Sequence, residues 1–322
     1  MDLRSGQPLA ARRDRASRWR DEPAQAPLED RGKPWLAGAG RAAASTARVP
    51  RAVTVAIFLL VFLLPVWPWL SGEVTIPWDA KSQFFPQVQF LASSWARGEW
   101  PWWSPNVFAG WPQISDPQSL LFAPLYVLLA AFNAAVSLRA FDAVTFAYLF
   151  LGAVGIILLF RDRGWHAGGA LVAAMAFALG GSASARIQHT GQVVSLAYLP
   201  LALWLLARAL ERSSWRAGLA AGAVGGLMAI GRDQVALLSL YVLAGFVLAH
   251  WVAGKATLAR VRASIKPLAA VAVSGALIAA VPIIMTTLLA ARSNRPEISF
   301  APPACQPRSW NNRMIPTAPR NR

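Results

Sequence analysis

Residues 77–91 read PWDAKSQFFPQVQFL, with Asp79 and Lys81 two positions apart. A carboxylate there can take a proton from a hydroxyl, and an ammonium beside it can hold an anion. Two other short segments carry groups of the same kind. ARIQHTGQ at 185–192 supplies Arg186, Gln188, His189 and Gln192, and GRDQ at 231–234 supplies Arg232, Asp233 and Gln234. Asp116, just after PQI and Ser115, is a further carboxylate. Each has a plainer reading. Asp79 precedes a helical run, and Asp is a favoured N-cap. GRDQ could be a self-satisfied Arg–Asp turn, and His189 a loop histidine bonded to backbone.

Other chemistries find little support. Three histidines and one cysteine, Cys305, exclude an internal disulfide, and no His/Cys/acid cluster has ligand spacing. Gly180 and Gly181 lack the Lys-Ser/Thr of a phosphate loop. No cofactor is called for, and a divalent metal stays open. The net charge of +16 lacks the patterned basic face of a nucleic-acid binder, so no nucleic-acid partner is expected.

The elements that must position these groups are apolar. The chain has 322 residues, 56% hydrophobic and 14% charged, against about 25% charged in soluble domains. Apolar runs long enough for a bilayer core of roughly 30 Å recur along it. They are 53–70, 120–136, 140–160, 167–184, 194–210, 217–230, 235–252 and 267–291. This is an all-α polytopic membrane protein with membrane lipid as its surroundings. Residues 1–51 carry eleven Lys or Arg and six Asp or Glu without apolar period, as in a disordered cytosolic tail. Residues 52–292 form the transmembrane domain. The Pro-, Asn- and Arg-rich stretch 293–322 is patternless and reads as an irregular tail, of the kind out-of-frame translation gives.

Charge sets the crossing number. With eight alternating spans and the basic tail inside, the basic segments 161–164, 207–216 and 254–266 all fall outside, against the positive-inside rule. The conflict vanishes if 120–136, which opens FAPLYVLL, re-enters instead of crossing. Seven crossings follow, with a long first outer loop over 71–139 and a cytoplasmic N-terminus in the inner (plasma) membrane. That loop holds Trp78, Trp95, Trp100, Trp102, Trp103 and Trp111, suited to the headgroup region. Phe84, Val88, Leu91 and Trp95 recur at helical spacing, with Gln87, Ser93 and Ser94 on other faces. The pattern predicts an amphipathic helix lying flat on the membrane, or one packed on the bundle. Gly218, Gly222 and Gly226, four residues apart, predict a close helix–helix contact.

The order of four blocks carries a resemblance. They are WDAKSQFFPQVQFL, GEWPWWSPNVFAGWPQISDPQSLLFAPLYVLL at 98–129, ARIQHTGQVVSLAYLPLALWLLARAL at 185–210, and GRDQVALL at 231–238. In these the chain resembles the YfhO family of bacterial membrane proteins, which is similar to the GT-C superfamily of lipid-dependent glycosyltransferases. The resemblance implies a GT-C-like fold and transfer of a sugar from a polyprenyl-phosphate donor to a cell-envelope acceptor at the outer face. It implies Asp79 as the catalytic carboxylate, with His189 assisting acid–base work or binding phosphate. Lys81, Arg186 and Arg232 would stabilise the phosphate leaving group, and Asp116, Gln192 and Asp233 would complete the substrate site. The turn 185–192 lacks the acidic residue that many such enzymes carry in their second outer loop. The chain is also shorter than such relatives, so a non-catalytic truncated remnant is one alternative. A transporter or flippase-like protein is another, although no matched halves with midplane polar sites are visible.

Overall fold

The computed structural model describes residues 51–116, 118–231, 234–253 and 256–292. The expected tails, 1–50 and 293–322, lie outside the described residues. Within them the chain is helical, with one isolated antiparallel bridge between Ser104 and Trp111. The helices are α1 (Arg51–Ser71), α2 (Phe85–Ala96), α3 (Pro124–Phe132), α4 (Leu138–Asp162) and α5 (Ala167–Leu179). There follow α6 (Gly181–Arg186), α7 (Thr190–Glu211), α8 (Trp215–Ala229), α9 (Gln234–Val252) and α10 (Thr257–Ala291). A π-turn over Ala80–Phe84 leads into α2. Several helices start at side-chain caps that satisfy otherwise orphaned amides. Ser137 Oγ accepts from Ala140 N, His166 Nδ1 from Gly168 N and Ser214 Oγ from Ala217 N.

Five helical stretches are long and apolar enough to cross a membrane: α4, α5 with α6, α7, α9 and α10. Two of the seven expected crossings fall outside that set. The apolar part of α1 is Val55–Ser71, and α8 has 15 residues. Helix α10 begins ten residues before the expected span, because TLARVRASIK continues its helix.

The two ends of the bundle differ. At one end Asp162 receives Trp204 Nε1 at 2.9 Å and Arg208 Nε at 3.3 Å, and Arg163 meets Glu211 at 2.6 Å. Arg260 Nη1 donates to the His250 carbonyl at the same end. These residues occupy the C-terminal ends of α4, α7 and α9 and the N-terminal turn of α10. The other end collects the C-terminal end of α1, the N-terminal ends of α4 and α7, and the last turns of α10. Of the residues expected to do chemistry, Asp79, Lys81, Asp116, Arg186, His189 and Gln192 are described, and they lie there.

Helix α3 is short and sits at that second end. Nine residues give about 14 Å, under half of a roughly 30 Å core. Its first turn is held well inside the bundle. Leu125 N donates to Tyr148 Oη at 3.0 Å, and the Tyr126 and Thr145 hydroxyls are bonded at 2.6 Å. Tyr148 stands ten residues into α4, about 15 Å along it. The chain thus reaches down beside α4 at Pro124 and climbs back through α3 to Ser137. Pro124 has no N–H to pair, and the Tyr148 hydroxyl oxygen accepts from the next amide, so the buried start of α3 leaves few polar groups unpaired. A run of ring contacts, Phe85–Phe141–Tyr126–Tyr148–Tyr198, seats α3 between α2, α4 and α7.

The apolar stripe of α2 faces protein. Phe84, Val88 and Leu91 are buried and pack with Tyr126 and Phe141 in the main core. This corrects the expectation of a helix whose apolar face rests in lipid: the aromatic and aliphatic surface of α3 and α4 takes that place. Ser94, assigned to another face, is also buried. Trp78, Trp100 and Trp103 remain largely exposed.

The glycine contact is between α8 and α10. A Cβ on Gly218 would meet Pro267 O at 2.4 Å, and one on Gly222 would meet Val271 O at 2.2 Å. Ser274 Oγ donates across this seam to Leu219 O at 2.9 Å. Without side chains between them the backbones approach closely, and small residues suit that geometry in lipid. Gly222→Leu is expected to destabilise the protein by about 1–3 kcal/mol through overpacking. Gly225→Ala, on the same helix with nothing within 4 Å of its Cβ, is expected to be neutral or slightly stabilising. Thermal unfolding of both variants in one detergent checks the contrast.

Candidate functional site

The segment between α1 and α2 is positioned by one buried carboxylate. Asp142, in the second turn of α4, is 1% exposed, and its Oδ2 accepts from Ile76 N at 3.0 Å. That bond draws residues 72–77 onto the bundle. Trp78 follows with φ +58°, a left-handed conformation that costs an L-residue roughly 1–2 kcal/mol. Its carbonyl accepts from Lys81 N and Ser82 N, so the strained residue starts the next turn.

The turn is π rather than α. Phe85 N donates to Ala80 O, five residues back. Pro86 explains the change of register: it lacks an N–H for the next bond, and its ring crowds the carbonyl four residues earlier. The helix proceeds as α only beyond it. Wide turns of this kind recur at functional sites.

Asp79 stands at the head of this turn. Its backbone is helical and its side chain makes no capping bond, so the N-cap reading fails. Its Oδ2 lies 3.0 Å from His189 Nδ1 instead. His189, at the N-terminus of α7, makes no capping bond either. The side chains are 46% and 32% exposed, so the pair is open to a ligand while held by two fixed elements. With Nδ1 donating to Asp79, Nε2 is the other proton-handling atom of the ring. The pair can accept one proton and share it.

Two of the expected cations are described, on segments adjoining the pair in sequence. Lys81 is exposed on the π-turn and interacts electrostatically with Asp142. Arg186 Nη1 donates to Gln192 Oε1 at 3.1 Å, so these two expected site residues fix one another across the turn before α7. Arg232 and Asp233 lie outside the described residues. Among the described residues no three His, Cys, Asp or Glu side chains group to hold a metal.

Asp116 lines a cavity and also holds its own loop together. It is 8% exposed, and its oxygens accept from Trp111 Nε1 at 3.2 Å and Gln118 N at 2.9 Å. It clasps the loop 104–118, which the Ser104–Trp111 bridge closes. Gly110 is needed there: its φ is +123°, and the Trp103 indole occupies the space of a Cβ. This loop, the outer face of α2 and the last turns of α10 enclose a cavity of about 1250 Å³. Thr286 Oγ1 on α10 donates to Ser115 O at 3.0 Å and ties the third wall to the first. Ser82 and Gln83 line the cavity, and Asp79 precedes them by one turn without entering its wall.

Asp142 was missed by sequence reasoning, and a signal existed: it is a lone carboxylate inside the apolar run 140–160, where ionisable groups are costly. Thr190, wholly buried with an unpartnered hydroxyl beside His189, gave no such signal. No family model, curated protein or solved structure matches the chain.

Asp142→Leu is expected to leave the Ile76 amide unpaired and cost about 1–3 kcal/mol. Amide exchange at Ile76 should quicken in that variant, while Asp142→Asn, which keeps an acceptor oxygen, should protect it nearly as well as the native residue. Hydrogen exchange with mass-spectrometric readout over 72–80 measures both.

Proposed function

We propose that this protein is a multi-pass membrane glycosyltransferase of GT-C-like topology. It would transfer a sugar from a polyprenyl-phosphate donor to a cell-envelope acceptor at the outer face. The observation that carries the reading is the 3.0 Å contact between Asp79 and His189, two groups 110 residues apart in sequence. Neither is spent on local capping, and both reach a solvent-accessible edge. Seven crossings with α3 re-entrant are supported by its nine-residue length and its seat beside α4. They are supported too by the gathering of Arg161, Arg163, Arg208 and Arg260 at the opposite end, which the positive-inside rule assigns to the cytoplasm.

In the proposed step the acceptor oxygen attacks the anomeric carbon of the donor sugar. The bond from that carbon to the phosphate oxygen breaks, and its electron pair leaves with the lipid phosphate. The acceptor's proton passes to the Asp79 carboxylate, with the His189 imidazole orienting it and sharing the charge. Lys81 stands two residues after Asp79 and Arg186 ends α6 three residues before His189, where a cation could offset charge building on the phosphate.

Asp79→Asn keeps the shape and removes the base. Sugar transfer from a radiolabelled polyprenyl-phosphate donor, assayed in proteoliposomes, is expected to fall by about 10²–10⁴-fold, with the fold intact by thermal unfolding. His189→Gln should lower it by a smaller factor. Unchanged turnover in Asp79→Asn removes this residue from the reaction. Movement of donor across the liposome without transfer favours the transporter reading.

A further inference from the structure

We infer that the cavity beside α2 is a binding site for a neutral, polyhydroxylated ligand, a saccharide chain of more than one ring. The wall chemistry carries this. The polar groups are amides and hydroxyls: Gln83, Gln87, Asn106, Gln113 and Gln118, with serines between them. Such side chains offer both donors and acceptors, as sugar hydroxyls require. Among the described lining residues the one charged side chain is Asp116, and its oxygens are turned inward onto Trp111 and Gln118. Among the described residues no lysine or arginine lines the space, so none of them offers a phosphate a counter-charge there.

Aromatic rings complete the wall. Trp111 and Phe108 contact each other edge to face at 5.7 Å, and Phe108 is 83% exposed at the cavity lip. Phe108 and Ala109 both have positive φ, so the loop accepts two left-handed residues to present that ring outward. Rings of this kind stack on the C–H faces of sugars while the amides take the hydroxyls. The volume, about 1250 Å³, exceeds the roughly 300–1,000 Å³ of most small-molecule sites and leaves room for several rings. Gln87 Oε1 and Gln113 Nε2 are buried in the wall without hydrogen-bond partners among the described residues. Rotation of either toward the cavity would pair it with a ligand hydroxyl. As the place where a transfer acceptor would wait, the site rests on the proposed function; as a saccharide site it does not.

The test uses the full chain in lipid nanodiscs, free of sugar-bearing detergent, with tryptophan fluorescence as readout. The probes are cellotriose, chitotriose, maltotriose and mannotriose, with inorganic pyrophosphate as the anionic control. At least one triose is expected to bind saturably, and pyrophosphate is expected not to compete. Phe108→Ala and Asn106→Ala, both at exposed positions and so compatible with folding, should each weaken that binding about threefold to tenfold. Binding by none of the trioses, native-like binding in both variants, or displacement by pyrophosphate each overturns the inference. Triose binding without any sugar transfer leaves it standing and counts against the transfer reaction alone. Transfer that proceeds normally in both variants counts against the cavity alone.

Discussion

The arrangement depends on a length mismatch. Helix α3 is apolar enough to belong in a bilayer and too short to cross one. A helix that ends inside an apolar medium must have its free amides met by protein, and here Tyr148 and Pro124 meet that need between them. The chain therefore leaves α3 at the end of the bundle from which it came, where Ile76 N meets Asp142. Had the same segment crossed, α4 and every later helix would run the other way. The N-terminal ends of α4 and α7 would no longer share an end with α2, and Asp79 could not reach His189.

With that constraint in place, the site follows from three local devices. Asp142 pins the backbone at Ile76. The left-handed Trp78 and the π-turn forced by Pro86 then aim Asp79 away from its own helix. His189 is brought to meet it by α7, which is locked to α4 along most of its length and carries a close approach at Gly152 and Gly155. The strained and wide turns are the costly parts of this end of the molecule. They stand next to the one cross-element acid–imidazole contact, as expected where strain serves positioning.

Much of this was legible in the residues. Apolar length found the helices, and the distribution of Lys and Arg set 120–136 apart, the segment whose helix is only nine residues long. The glycines at 218, 222 and 226 marked the α8–α10 seam because only small residues allow backbones so close. The residues that escaped notice did so for physical reasons. Periodicity shows that Phe84, Val88 and Leu91 share a face of α2 but cannot say whether lipid or α3 covers it. Asp116 has the type of a site residue, yet its role as a loop clasp depends on Trp111 folding back over it. The cavity draws on residues 82–90, 104–118 and 286–290, and no local pattern announces that these meet.

The most direct measurement is accessibility of single cysteines in intact cells, in a background where Cys305 is replaced by Ser. Cysteines at positions 163 and 257, in the basic connectors, should resist a membrane-impermeant maleimide applied from outside, while one at the exposed position 108 should react. Labelling of 163 and 257 from outside would mean that 120–136 crosses after all, and would leave the carboxylate at 79 on the opposite side of the membrane from His189.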